Sequence, residues 1–156
     1  MLAGRADIME RLAPAGDVAQ SGTYSGHQFG VAAALATLDE LSQPGFYPHI
    51  HALADRLYRG MNALFARHGI TGRVQGLGAR FGIYFGVDGE IRNYRDAAGR
   101  DAEMMHRFVR GCFARGIYFQ HLGHAIGHHG LCGAHTLDDV DWALEQFDAV
   151  FAELRQ

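Results

Sequence analysis

The chain has 156 residues, 48% of them hydrophobic, with 14 basic and 17 acidic side chains and a formal net charge of -3. That length and apolar content suit one globular domain with a real core, and the charge lacks the basic footprint of a nucleic-acid binder. All of the basic residues are arginine, so a Walker phosphate loop, which needs a lysine, is excluded.

In chain order, Met1 to Ala15 reads as a short amphipathic piece, with one or two helical turns from Asp7 to Leu12 broken by Pro14-Ala15-Gly16. Gln20 to Gly26 is a turn of small residues and hydroxyls. From about Gln28 to Leu41 the chain becomes rich in Ala and Leu, and Val31, Leu35 and Leu38 fall at i, i+4 and i+7 on one helix face. Such a turn feeding a helix offers N–H groups, hydroxyls and a positive dipole end suited to phosphate; the same residues also serve as ordinary caps.

After a turn at Ser42-Gln43-Pro44-Gly45, the spacing of Ile50, Leu53, Leu57, Met61 and Leu64 predicts a helix from Phe46 or Tyr47 to His68, with Gly69 as its stop. Arg56, Arg59 and Arg67 lie off the stripe, as a solvated face would place them. His49 and His51 have no partner that the sequence identifies. The period then changes. Arg73-Val74-Gln75 reads as a strand, Gly76-Leu77-Gly78 as a tight connection, and Arg80 to Val87 as a half-buried strand in which Phe81, Ile83, Phe85 and Val87 alternate with Gly82, Tyr84 and Gly86.

Asp88 to Gly99 is polar and reads as a surface loop, with Arg92, Tyr94 and Arg95 solvated. Helical period returns from Asp101 to Arg115 through Met105, Phe108 and Cys112, widened by Met104, Val109 and Phe113, and Gly116 ends it. Cys112 on this face is a core thiol. Ile117-Tyr118-Phe119 reads as a short buried strand. The final helix starts at Thr136, a good N-cap with Asp139 in the capping-box position. Val140, Leu144, Phe147, Phe151 and Leu154 form its stripe, with Trp142 off that line.

Between them His121, His124, His128, His129 and His135 surround Cys132, half of the chain's ten histidines. Imidazole and thiolate suit zinc or nickel, so a metal-binding module is one reading. Against it, the spacing matches no closed ligand pattern, glycines interrupt the run, and no Glu sits between paired His as in a zincin.

Several segments resemble one family in shared order. Gly22-Thr23-Tyr24-Ser25-Gly26 with the helix VAAALATLDEL is similar to the G-T-x-S-G-N-P…A-A-x-A-T-L signature of the class III aminotransferases, pyridoxal-phosphate enzymes that include glutamate-1-semialdehyde aminomutase. His27-Gln28 stands in place of the signature's Asn-Pro. Ala3 to Met9 resembles G-G-R-x-x-I-M, VQGLGARFGIYF resembles V-x-G-x-G-S-M-F-x-I-x-F, Gly116-Ile117-Tyr118 matches G-I-Y, and Ala134 to Asp141 matches A-H-T-x-E-D-I-D. By register Gly127 replaces a glutamate of the aminomutase, and His128-His129-Gly130 looks more like relatives acting on β-amino acids.

The resemblance implies an α+β two-layer fold like the small C-terminal domain of fold-type I pyridoxal enzymes: an antiparallel sheet of three to four strands, near 73–77, 80–87, 117–120 and 130–133, with helices packed on it. Residues 1–156 would be that single domain, with 1–27 carrying the phosphate and interface loop and 28–156 the α+β part, and the catalytic large domain absent. The family's cofactor lysine lies just upstream of the first matched segment, and no side chain here can make its Schiff base. Gly22 and Thr23 are implied to bind the phosphate of a partner subunit's cofactor in a homodimer. The Arg92–Arg95 region would lie near the substrate entrance, and His135 would buttress its turn.

The leading expectation is therefore part of a PLP-dependent transaminase or aminomutase acting on a small amino-acid or keto-acid substrate, inactive alone. The alternatives are a non-catalytic stand-alone domain and the histidine-cluster metal module. Two cysteines without a disulfide framework, no signal peptide and no transmembrane-length run lead to an expectation of a cytoplasmic protein with no nucleic-acid or membrane partner.

Overall fold

A computed structural model describes residues 2–120 and 127–155. The chain divides into two compact units, Met1–Ser42 and Gln43–Gln156. The division falls after the alanine-rich helix, which therefore goes with the N-terminal segment.

The N-terminal unit holds α1 (Ala6–Met9) and α2 (Gln28–Leu41). Helix α1 ends earlier than Leu12, and the chain beyond it is pinned by a forked Arg11–Asp17 pair (2.7 Å) and a bridge between Leu12 and Val18. Helix α2 has the expected limits, but no residue on it is buried. Val31, Leu35 and Leu38 are 48%, 59% and 48% exposed, and Phe29 beside them 82%.

The second unit contains the core. Its helices are α3 (Phe46–His68), α4 (Tyr94–Ala98), α5 (Ala102–Ala114) and α6 (Leu137–Leu154); its strands are β1 (Gly72–Leu77), β2 (Arg80–Phe85) and β3 (His129–Gly130). The strands form one antiparallel sheet in the order β1-β2-β3. Helices α3, α5 and α6 cover it, an α+β two-layer arrangement. Between the layers Phe65, Phe85, Phe108, Phe147 and Phe151 form a continuous aromatic cluster with ring centroids 4.9–5.8 Å apart. Leu53, Met61, Val74, Ile83 and Val150 fill the space around it.

Helix α3 stops at Gly69, whose φ of 63° is the left-handed conformation that glycine adopts without a Cβ penalty. The β1–β2 hairpin turns on only Gly78-Ala79, with Gly78 at φ 53°, so Gly76 and Leu77 extend the strand rather than form the connection. Because β1 is an edge, its outward polar groups need other partners. Asn62 of α3 supplies them, donating to the Val74 carbonyl (3.0 Å) and accepting the Val74 N–H (2.9 Å). The Gln75 amide does the same for Ile91.

Four expectations need correction. No strand forms over 117–120: Ile117 N–H is spent on the Cys112 carbonyl at the helix end, and Tyr118 turns outward at 74% exposure. The strand expected at 130–133 is the shorter β3, which pairs with Arg80 and Phe81, and beyond it the Leu131 N–H donates to the Ala79 carbonyl in the hairpin turn (2.9 Å). The loop from Asp88 to Gly99 contains α4, started by a capping box in which Asn93 and Asp96 satisfy each other's backbone N–H groups. Phe113 is 68% exposed and does not widen the core stripe of α5.

Candidate functional site

In the N-terminal unit the turn before α2 is closed by two backbone bonds, Ser25 N–H to the Gly22 carbonyl (2.9 Å) and His27 N–H to the Tyr24 carbonyl (3.1 Å). Gly22 and Thr23 lie on its exposed rim. None of the described residues hydrogen-bonds the Thr23 hydroxyl. A Cβ on Gly22 would come within 3.0 Å of Ser25 Oγ, a hydroxyl that can rotate aside. His27, standing where the family signature has Asn, is the N-cap of α2: its Nδ1 accepts the Gly30 N–H at 3.4 Å. His27 thus occupies one N–H of the first turn of α2, whereas the Gly22-Thr23 rim stays exposed.

In the second unit the residues of chemical interest gather where β3 leads into α6. Thr136 and Asp139 make the expected capping box, Thr136 N–H donating to Asp139 Oδ2 at 2.7 Å and Asp139 N–H to Thr136 Oγ1 at 3.1 Å. The bonds from Thr136 hold the Asp139 carboxyl below its ordinary range, the backbone bond contributing most. His135 buttresses this turn by its ring: Nδ1 accepts the Cys132 N–H at 3.1 Å and lies 3.2 Å from Cys132 Sγ. The His135 carbonyl accepts from Nε2 of His49 at 2.9 Å, which ties the start of α3 to the turn and gives His49 its partner. Sequence reading missed the thiol–imidazole contact, although a Cys-x-x-His spacing across a turn is its visible sign.

The remaining candidates are dispersed. Arg92 is held by Glu90 (2.6 Å), and Tyr94 and Arg95 are exposed at the start of α4, as a solvated loop would have them. Arg56, Arg59 and Arg67 line an open groove between α3 and α6, each answered by an aspartate: Asp141, Asp55 and Asp148. Cys112 is fully buried, and burial pushes its thiol up to about 12, so it is inert core. His121 and His124 lie outside the described residues. Among the described residues no three His, Cys, Asp or Glu side chains gather as a metal site, and His129 is packed between the rings of Phe81 and Phe119.

No family model matches the chain. Over 144 residues, 92% of its length, it is 39% identical to the glutamate-1-semialdehyde 2,1-aminomutase of Thermus thermophilus. The chain is related to the glutamate-1-semialdehyde 2,1-aminomutases. It spans about a third of the length of the curated relatives it matches, 33% in the Thermus case.

Solved structures agree on the fold. A β-phenylalanine aminotransferase from Variovorax paradoxus superposes with a TM-score of 0.77 at 26% identity, over 96% of this chain and 34% of that one. A glutamate-1-semialdehyde aminomutase from Pseudomonas aeruginosa, in complex with PMP, superposes with a TM-score of 0.74 at 23% identity, over 90% of this chain and 31% of that one. The relation to the aminomutases thus extends to the fold of the wider fold-type I aminotransferases.

Proposed function

We propose that this chain works as the C-terminal part of a class III, PLP-dependent aminotransferase or aminomutase, together with a lysine-bearing large domain and a second subunit. The observation that carries the reading is 39% identity over nearly the whole chain to an aminomutase three times its length. Its share is structural and positional: the α+β unit walls part of a pocket for a small amino or keto acid, and the Gly22-Thr23 rim reaches the cofactor phosphate of the neighbouring subunit.

The donors present fit that second role. The Thr23 hydroxyl is exposed and makes no hydrogen bond among the described residues, and Gly22 carries no side chain over its exposed backbone, so both can meet an anion brought from outside. When bound, the cofactor supplies the electron sink on which an amino group moves. The protein amine that must anchor it cannot come from this chain, which has no lysine. Thr23 would therefore orient the phosphate by a hydrogen bond and move no proton.

The test mixes the purified chain with pyridoxal phosphate and amino donors, alone and with a separately produced large domain of a relative. Alone it gives no turnover; in the reconstituted enzyme Thr23→Ala weakens cofactor affinity by about tenfold, the loss of one hydrogen bond to a charged group. Turnover by the chain alone, or unchanged affinity in the Thr23→Ala assembly, would refute the reading.

A further inference from the structure

We propose that Cys132 is a reactive thiol activated by His135, and that it takes up small disulfides, preferentially those with an aromatic or apolar arm. The proposal is independent of the aminotransferase reading. It rests on three observations: an exposed thiol, an imidazole nitrogen 3.2 Å from the sulfur, and a groove that opens onto both.

His135 Nδ1 lies 3.1 Å from the Cys132 amide nitrogen, 3.2 Å from Sγ and 3.3 Å from the Cys132 carbonyl oxygen. In the neutral tautomer with its proton on Nε2, Nδ1 can receive the Sγ proton; once protonated it donates to the thiolate or to that carbonyl. Backbone order at Cys132 and at His135, through the His49 bond to its carbonyl, keeps the two groups in register. The groups facing the pair are Asp139 of α6, His49 of α3, which binds the His135 carbonyl, and the Tyr118 phenol. The groove holds about 480 Å³ and is walled by Ile117, Tyr118, Trp142 and Ala143, with Trp142 46% exposed, so a flat apolar arm has a surface to lie on.

In the reaction the Sγ proton passes to Nδ1, and the sulfur attacks one sulfur of a disulfide R–S–S–R. A Cys132–S–S–R bond forms, the R–S–S–R bond breaks, and the departing thiolate takes the proton back from His135 as RSH. Cys132 is oxidised and the released half of the reagent is reduced, so no other oxidant is needed.

The full chain provides its own control, since Cys112 is fully buried. Dithiodipyridine, an aromatic disulfide, is added in excess and thiopyridone release is followed across pH, with the labelled peptide identified by mass. One equivalent is expected to react at Cys132, about tenfold faster at neutral pH than an unstructured cysteine peptide and with a shallow pH dependence. His135→Gln is expected to remove the advantage and restore the steep pH dependence of a simple thiol. Should that variant lose helix content, the pH profile of the parent chain decides alone. A parent rate that tracks the peptide and falls about tenfold per pH unit, or labelling at Cys112, would overturn the proposal.

Discussion

Replacing Gly111 with alanine sets two opposed terms against each other. In the middle of α5 the change gains about 1 kcal/mol of helix propensity. Helix α6, however, crosses at that point, and the new Cβ would stand 2.8 Å from Cγ1 and 3.2 Å from Cγ2 of Val150, which is 1% exposed. A β-branched side chain on a helix has one good rotamer and cannot swing aside, so the helices must part, at an overpacking cost of about 1–3 kcal/mol. The net expectation is a loss of about 1 kcal/mol in urea unfolding followed by circular dichroism. Gly60→Ala on α3 meets the ends of Leu144 instead, at 2.5 and 2.6 Å; Leu144 is half-buried and free at Cβ, so it rotates, and the loss is smaller. In a Val150→Ala background Gly111→Ala should become stabilising. If Gly111→Ala alone raises stability by the full propensity gain, the close approach of α5 and α6 is not what fixes glycine there.

Phe108→Ala removes a fully buried ring that contacts Phe85, Phe119, Phe147 and Phe151, and is expected to cost about 3–5 kcal/mol in the same assay, a large share of the stability of a domain this size. Acid titration should expose Asp148, whose carboxyl is held below its ordinary 3.8 first by the bond from His68 (2.5 Å) and also by Arg67. A lowered folded-state value means stability that is present above the unfolded value and lost as pH falls through the folded one. The α3–α6 contact should therefore weaken below about pH 4, and Asp148→Asn should lessen that acid-dependent loss.

Most of the second unit was legible because its signals are local. Gly69 after a long apolar stripe, Asp101 three residues before Met104, and Thr136 with Asp139 each name a helix end by the N–H or carbonyl that must be satisfied there. The same rule would have found α4 from Asn93 and Asp96. What failed was local apolarity without period: Ile117-Tyr118-Phe119 is too short to tell a strand from a packed connector, and the stack of Phe119 on Phe147 decides it only in three dimensions. The side-chain clamps on β1 were illegible for a similar reason, since Asn62 and Val74 are distant on the chain and meet only once α3 lies over the sheet. At the candidate sites, resemblance singled out Gly22 and Thr23, which lie exposed, and sequence reading placed His135 in its turn, where its ring accepts the Cys132 N–H. It did not foresee that the same imidazole would lie against a thiol.

Helix α2 buries nothing of its own. A run of 14 residues sits near the length at which the cost of nucleating a helix is barely offset in water, whatever its alanine content. Its persistence is thus conditional on company, whereas the larger unit carries an aromatic interior of its own.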